Sequence, residues 1–187
     1  MRILIADDES IIRLGLKMML EQMGHTVWAA ANGREALQMA RKHLPDLAIF
    51  DVQMPYTDGL QAAKSIAQTN PIPVLILTAF SDDDLIEKAA ELPIHGYLVK
   101  PVAPAELKAA IAVACKRFED MVALLQTNAE LRETLETRKL VDRAKGKLMV
   151  QKGLNEEDAY RLLQLRAREG RQSLKEVALA VVRGDRV

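Results

Sequence analysis

The stretch LAIFDVQMP, residues 47–55, is an apolar run that ends on a single carboxylate, Asp51. Four consecutive apolar residues before that acid are typical of a strand buried on both faces, as in a parallel sheet. Similar short runs stand at residues 2–6, 26–30, 73–77 and 95–99. The sequence therefore predicts five buried strands, and the third of them carries a charge at its tip.

Segments with helical periodicity lie between these strands. The clearest follows Ser10, whose side chain is typical of an N-cap. Its apolar stripe consists of Ile12, Leu16, Met19 and Met23. Asn32 with Glu35, and Ser81 with Asp84, have the spacing of helix-capping pairs. Strands that alternate with helices form a parallel sheet covered on both faces, so the expected fold is α/β, with a doubly wound, five-stranded parallel sheet.

Ligands of such sheets bind beyond the carboxyl ends of the strands. The polar residues at those ends are Asp7, Asp8, Asp51, Thr78 and Lys100. Three neighbouring carboxylates repel one another and favour a divalent cation, and hard oxygen ligands suit Mg²⁺. A lysine ammonium and a threonine hydroxyl can stabilise charge on a transferring phosphoryl group.

The set therefore favours a phosphoryl-accepting aspartate. Asp51 is the best candidate, because it ends a central strand and faces both Thr78 and Lys100. Each of these polar residues alone would also suit the surface end of an ordinary strand. The inference depends on their joint placement at four strand ends.

The segments ILIADDE, LAIFDVQMPYTDG, VLILTA and GYLVKP resemble, in order and spacing, the receiver domain of two-component response regulators. The resemblance covers roughly residues 1–118 and implies a flavodoxin-like receiver fold. It implies that a sensor histidine kinase phosphorylates Asp51 and that the cofactor is Mg²⁺. Asp8 would bind the ion directly with Asp7 in support, and Asp51 and the backbone carbonyl of Gln53 would complete the protein ligands.

The same resemblance implies roles for three more side chains. Lys100 would contact the phosphoryl group, followed by a cis peptide bond to Pro101. Thr78 and Tyr97 match the switch pair of the family, in which the hydroxyl moves toward the phosphoryl group and the aromatic ring turns inward. The alternative for Tyr97 is an ordinary half-buried strand aromatic.

A long helical linker is expected after Pro104, which suits a first helical turn, because no Gly or Pro follows until Gly146. Residues 119–137 carry a short coiled-coil seam. Its positions are Met121, Leu124, Asn128, Leu131 and Leu135, with Phe118 and Leu125 alongside. Such a seam would make a homodimer, and the alternative is an amphipathic helix that folds back on its own domain.

The last third of the chain predicts three helices, near residues 119–152, 155–168 and 173–183, whose apolar stripes can bury a small core. Residues 126–187 hold 14 of the 26 basic and 10 of the 26 acidic side chains. Lys139, Arg143 and Lys147 repeat at four-residue spacing, with Lys145 and Lys152 on the other side of the apolar arc. Such a basic row suits a phosphate backbone, although charged helix faces are also common without a ligand.

The segment RAKGKLMVQKGLNEEDAYRLLQLRAREGRQSLKEVALAVV, residues 143–182, is similar to the ANTAR domain of transcription antitermination regulators. The similarity extends over roughly residues 126–187 and implies an all-α, three-helix domain that binds RNA, commonly stem-loops in leader transcripts. Most landmarks of the family are packing residues. The RNA-binding candidates are therefore chosen by charge, and they are Lys139, Arg143, Lys145, Lys147 and Lys152.

The expected function is a phosphorylation-controlled, RNA-binding transcription antiterminator. One alternative is a DNA-binding regulator, since the helices around Gly170 have helix-turn-helix-like spacing, although the last one has few side chains that read base edges. Another is a regulator that sequesters a protein partner. An enzyme is not expected, because the tail has no catalytic constellation and the receiver only assists transfer to its own aspartate.

Composition excludes other classes of protein. Lys plus Arg and Asp plus Glu each number 26, so no net charge indicates nucleic acid or a membrane surface. Neither a signal-peptide pattern nor an apolar run of about 18 residues is present, and we expect a cytoplasmic location with no membrane partner. The single cysteine, Cys115, cannot form an intrachain disulfide.

Overall fold

The five predicted strands pair into one parallel sheet of order β2-β1-β3-β4-β5. The structure is a computed structural model and describes residues 1–79 and 93–184. The strands are β1 (Arg2–Ala6), β2 (Thr26–Ala30), β3 (Leu47–Asp51), β4 (Val74–Thr78) and β5 (Gly96–Val99). Contacts divide the chain into two compact units, Met1–Val122 and Ala123–Val187.

The centre of the sheet is β3, all five residues of which are buried. Phe50 pairs with Ala6 on one side and Ile76 on the other, so apolar side chains surround the strand that carries Asp51. Alternate residues of the strands point to opposite faces and form two apolar clusters. The doubly wound sheet predicted from the apolar runs is confirmed.

Three helices of the first unit precede β4. They are α1 (Ser10–Gln22), α2 (Gly33–His43) and α3 (Gly59–Thr69). Leu16 and Leu20 of α1 cover one face of the sheet, and Ala36 of α2 and Ile66 of α3 cover the other. The long helix α4 (Pro104–Lys152) covers the same face as α1 through Leu107, Ile111 and Ala114.

The helix starts agree with the sequence analysis except at Ser10. The predicted N-cap, Ser10, is instead the first residue of α1, and Glu9 precedes it without a side-chain cap. The Glu9 amide donates to Asp7 Oδ1, 2.9 Å away, and this turn leads the chain into α1 one residue earlier than predicted. Asn32 caps α2 as predicted, accepting from the Glu35 amide at 2.9 Å. The expected Ser81 and Asp84 pair lies outside the described residues.

The seam expected in residues 119–137 lies within α4, which runs as one helix to Lys152. Four leucines of the seam are exposed, namely Leu124, Leu125, Leu131 and Leu135. The seam and its alternative, an amphipathic helix that folds back on its own domain, both stay predictions.

The second unit consists of the C-terminal part of α4 with α5 (Glu156–Glu169) and α6 (Leu174–Arg183). Gly153 ends α4 with a φ of 67°, a left-handed conformation that favours glycine. Ser173 and Glu176 form a complete capping box at the start of α6. The three helices bury one apolar cluster, which is made of Val141, Ala144, Leu148, Ala159, Leu163, Val177, Ala178 and Val181. The predicted all-α tail is confirmed.

Within the described residues, no helix is both long enough and apolar enough to cross a membrane.

The core of the second unit generates a stability prediction. Leu163 is fully buried and Leu165 on the same helix is 52% exposed. We expect Leu163→Ala to destabilise this unit by about 2–5 kcal/mol, and Leu165→Ala to change stability by no more than about 0.5 kcal/mol. Hydrogen exchange followed by mass spectrometry measures both. Exchange in residues 123–184 should accelerate only in Leu163→Ala, and equal exchange in the two variants would contradict the assigned core.

Candidate metal-binding and phosphoryl-acceptor site

Three carboxylates meet at the carboxyl edge of the sheet. Asp7 and Asp8 follow β1, and Asp51 ends the neighbouring strand β3. Each offers one oxygen, and the three oxygens lie within 4.8 Å of one another. Asp7 and Asp51 are buried and Asp8 is exposed, so the group is open to solvent on one side. The convergence predicted from the strand ends is thus observed.

Hydrogen bonds hold the loop that carries Asp7 and Asp8. The Asp7 backbone amide donates to the Ala30 carbonyl at the end of β2, at 3.3 Å. Arg13 Nη1 of α1 donates to the carbonyl oxygens of Asp7, at 2.6 Å, and Asp8, at 3.3 Å. Arg13 is not among the site residues predicted from the sequence. A cation in the first turn of a helix is unfavourable for the helix dipole, and that was the available sign of another role.

Lys100 brings a positive charge into the acidic group. Its Nζ lies 2.9 Å from Asp7 Oδ2 and 3.1 Å from Asp51 Oδ1, and its side chain is only 14% exposed. A third carboxylate, Glu9, lies 3.6 Å from the same nitrogen at the exposed rim, and it too is absent from the site residues predicted from the sequence. The Lys100 amide donates to the Thr78 carbonyl at 2.9 Å, which fixes the start of this loop beside β4. The following bond to Pro101 is cis, as the resemblance implied.

The electrostatics of the group are unbalanced. Burial raises the pKa of Asp51, the charges of Asp7 and Asp8 raise it further, and Lys100 offsets only part of the rise. Burial lowers the pKa of Lys100, but its contacts with Asp7 and Asp51 outweigh burial and leave that pKa raised. Lys100 is therefore a cation. Without the exposed Glu9 at the rim, the three carboxylates of Asp7, Asp8 and Asp51 and one ammonium leave two negative charges uncompensated.

This arrangement fits a divalent cation. Among the described residues, the buried Asp7 Oδ2 has no hydrogen bond of acceptable geometry, although Lys100 lies at ion-pair distance. A lone pair of Asp7 Oδ2 is therefore available to a metal ion. Carboxylate oxygens beside open solvent suit Mg²⁺, which prefers oxygen ligands and retains several waters. When bound, such an ion stabilises charge on a transferring phosphoryl group.

Gln53 lies in the loop after β3. Its neighbours Val52 and Met54 are buried, and the Gln53 side chain is exposed. The two buried anchors hold this backbone segment close to Asp51. Its carbonyl remains a predicted metal ligand.

The two predicted switch residues are placed differently. Thr78 ends β4, and its Oγ1 donates to the Ala79 carbonyl at 3.1 Å. Tyr97 on β5 is 61% exposed. This exposure does not fit the alternative of a half-buried strand aromatic, and the switch role of Tyr97 stays a prediction.

Two glycines allow the loop between β3 and α3 to pack tightly. The Gly59 amide donates to the Val52 carbonyl at 3.1 Å, and a Cβ at Gly59 would overlap the carbonyl oxygen of Asp51. A Cβ at Gly33, the first residue of α2, would overlap the Thr57 carbonyl oxygen. The start of α3 therefore packs directly against the backbone of Asp51.

The five basic candidates of the tail fall into two groups. Lys145 Nζ lies 2.7 Å from Asp142 and 2.8 Å from Glu156, so it links α4 to the start of α5. Lys147 Nζ donates to the Val182 carbonyl at 3.0 Å, near the C-terminus of α6, where a cation is favourable. These two lysines support the three-helix fold.

The remaining candidates are Lys139, Arg143 and Lys152. All three are exposed, and within residues 1–79 and 93–184 none of them takes part in an ion pair. They are available to a ligand. Side-chain charge in the sequence could not distinguish these three residues from Lys145 and Lys147. The contact of Lys147 with Val182, for example, joins residues that are 35 positions apart in sequence.

Two family models match the chain. The response regulator receiver domain matches residues 3–112, and the ANTAR domain matches residues 129–182. The transcriptional regulatory protein PdtaR of Mycobacterium tuberculosis is 45% identical over 182 residues, which is 97% of this chain and 89% of that protein. The transcriptional regulatory protein AfsQ1 of Streptomyces coelicolor is 35% identical over 117 residues, 63% of this chain and 52% of that protein.

Solved structures agree with the first unit. A response regulator receiver domain from Clostridium thermocellum superposes with a TM-score of 0.59 and 32% identity, covering 64% of this chain and 98% of that one. The chemotaxis protein CheY4 of Vibrio cholerae superposes with a TM-score of 0.56 and 32% identity, covering 59% of this chain and 95% of that one.

The close packing at Gly59 generates a prediction. Gly59→Ala should destabilise the first unit by about 1–3 kcal/mol, because the added methyl group overlaps the Asp51 carbonyl. Gly15→Ala, within α1, is the matched control, since a Cβ there meets nothing within 4 Å and alanine favours a helix. Thermal unfolding measures both. An unchanged melting temperature in Gly59→Ala would contradict the packing of α3 on the backbone of Asp51.

Proposed function

Because this chain belongs to the response regulators that combine a receiver domain with an ANTAR domain, we propose that it is a phosphorylation-controlled, RNA-binding transcription antiterminator. Residues 1–118 would accept the phosphoryl group, residues 126–187 would bind RNA, and residues 119–137 would link them. The observation that supports phosphoryl acceptance is the cluster of Asp7, Asp8 and Asp51, which has two uncompensated negative charges beside Lys100.

Asp51 is the proposed phosphoacceptor. A phosphohistidine of a sensor kinase would donate the group: the P–N bond breaks, and a P–O bond forms to a carboxylate oxygen of Asp51. The attacking carboxylate must be ionised, and the Lys100 ammonium at 3.1 Å favours that form. Asp7, Asp8 and the Gln53 carbonyl would hold Mg²⁺ with Asp51. Lys100 would then contact a phosphoryl oxygen.

Thr78 and Tyr97 would transmit the event. The Thr78 hydroxyl donates to the neighbouring Ala79 carbonyl, and this weak local contact is easily exchanged for a phosphoryl oxygen. The Tyr97 side chain is exposed, which is the starting position that an inward turn of the ring requires. Phosphorylation would bias an existing equilibrium between these arrangements.

A kinase surface is supported by α1. Ile11, Leu14 and Met18 are exposed apolar residues at helical spacing, starting one turn after the acidic loop. Exposed apolar stripes of this kind mark protein interaction sites. A helical partner placed on this stripe would bring its phosphohistidine near Asp51.

Two features support the proposed RNA binding as a dimer: the basic side chains of the tail and the coiled-coil seam. The tail holds 14 basic and 10 acidic side chains, and Lys139, Arg143 and Lys152 are available to phosphates. The four exposed leucines of the seam suit a parallel partner helix, so we propose a homodimer. Two linked tails that bind two stem-loops of a leader transcript would gain avidity. The name of the relative from Mycobacterium tuberculosis supports transcriptional regulation.

DNA binding is the second candidate. The turn between α5 and α6, at residues 170–173, resembles helix-turn-helix spacing. However, α6 buries Val177, Ala178 and Val181, and few of its remaining side chains can read base edges. RNA is therefore favoured.

The phosphoacceptor assignment makes the first prediction of this function. Wild-type protein incubated with acetyl phosphate and Mg²⁺ should incorporate one phosphoryl group, detected by phosphate-affinity electrophoresis and mass spectrometry. Asp51→Asn should incorporate none, whereas the exposed control Asp120→Asn should match the wild type. Undiminished incorporation in Asp51→Asn would exclude Asp51 as the acceptor.

The partner class makes the second prediction. Ultraviolet crosslinking and sequencing of bound cellular RNA, in cells carrying wild-type protein or Asp51→Asn, should enrich a small set of leader stem-loops only in the wild type. The recovered stem-loop should then bind more tightly than a DNA duplex of the same sequence at one salt concentration. Preference for the duplex would favour the DNA-binding alternative.

A further inference from the structure

A row of four exposed residues runs along α4 on the side away from the core of the second unit. We call Lys139, Arg143, Gly146 and Val150 the outer row. Their spacing of four, three and four residues places them on one helix face. Val141, Ala144 and Leu148, which face the core, lie on the opposite side of the same helix.

Gly146 is unexpected in the middle of a helix. A Cβ at this position meets nothing within 4 Å, and the backbone is not left-handed, so alanine fits without strain. Glycine here costs the helix about 0.5–1 kcal/mol relative to alanine. At Gly33 and Gly59 the fold itself excludes a Cβ, but at Gly146 it does not. The described residues thus give no structural reason for this glycine.

Gly15 is the comparable case in the first unit. Among the described residues, Gly15 and Gly146 are the two glycines within helix interiors, and both have open space at the Cβ position. Gly15 lies on α1 beside the exposed apolar stripe proposed for the kinase. Gly146 differs because cations precede it in its row. The two glycines suit close approach by two different partners.

The chemistry of the outer row favours an anionic ligand. Lys139 and Arg143 are exposed and, within the described part of the chain, form no ion pair, while the nearby Asp142 is already paired with Lys145 at 2.7 Å. Val150, one turn beyond Gly146, is 86% exposed and offers an apolar contact. The cations therefore suit phosphate groups of a ligand, and the apolar Val150 suits the carbon atoms of a sugar in the same ligand. An apolar partner helix would leave two cations facing it.

We propose that the outer row is the surface on which the phosphate–ribose backbone of RNA lies, with Gly146 as the point of closest approach. This inference rests on the proposed RNA binding and specifies its surface. Lys139 and Arg143 contact phosphates, Gly146 lets the strand reach the helix backbone, and Val150 packs against a ribose. The outer row differs from the basic row predicted from the sequence, Lys139, Arg143 and Lys147, because Lys147 donates to the Val182 carbonyl and Gly146 lies on the exposed face.

The test compares stability with affinity in full-length protein that has been incubated with acetyl phosphate and Mg²⁺. Gly146→Ala should raise the melting temperature, because alanine is the better helix former, and should weaken binding of the crosslinked stem-loop RNA by roughly tenfold, about 1.4 kcal/mol. Gly146→Leu should weaken it further. The matched control Gly15→Ala should also raise the melting temperature but leave RNA affinity unchanged. Fluorescence anisotropy with labelled RNA measures the affinities.

Charge variants test the rest of the row. Arg143→Gln should lower the slope of log affinity against log salt concentration by about 0.7–0.9, the effect of one lost phosphate contact. Wild-type affinity in both Gly146→Leu and Arg143→Gln would overturn the inference while RNA binding itself stands. A change in self-association without a change in RNA affinity, measured by analytical ultracentrifugation, would assign the row to a second copy instead. Failure of the wild type to bind any RNA would overturn both proposals.

Discussion

The contact between the Lys100 ammonium and the carboxylates of Asp7 and Asp51 is the constraint on which the first unit depends. Buried charges are costly unless they are paired, and here one cation meets more negative charge than it can neutralise. The surrounding structure holds these groups together against their repulsion. The fully buried β3 fixes the backbone of Asp51. Arg13 holds the loop of Asp7 and Asp8 by donating hydrogen bonds to the backbone carbonyls of these two residues. The remaining deficit of two charges is what makes a divalent cation the natural ligand.

The sequence predicted the fold well because the evidence for it is local. Apolar runs located all five strands to within about one residue, and the strand-end rule located the carboxylates and Lys100. Contacts between distant residues were not predictable in this way. The close approach of Gly59 to the Asp51 carbonyl, the role of Arg13 and the bond from Lys147 to Val182 all depend on how elements pack. Ser10 was wrong as an N-cap because α1 begins one residue earlier, with Glu9 at the N-cap position and its amide bonded to Asp7 Oδ1.

Glycines distinguish what the fold requires from what it permits. Gly59 and Gly33 stand where a side chain would overlap backbone, so the geometry of the site requires them. Gly15 and Gly146 stand in open helix interiors, where alanine would be more stable. A residue that lowers stability without a structural reason is expected at functional surfaces. The same reasoning separates Lys145 and Lys147, which have partners inside the second unit, from Lys139 and Arg143, for which the described residues provide none.

The central claim is that the uncompensated charge of Asp7, Asp8 and Asp51 forms a divalent cation site that prepares Asp51 for phosphorylation. Calorimetric titration of Mg²⁺ into the full-length, unphosphorylated protein tests it most directly. We predict binding of one ion per chain to the wild type and to the control Asp142→Asn, and loss of binding in the double variant Asp7→Asn with Asp8→Asn. Mg²⁺ binding to the double variant with unchanged affinity would contradict the account.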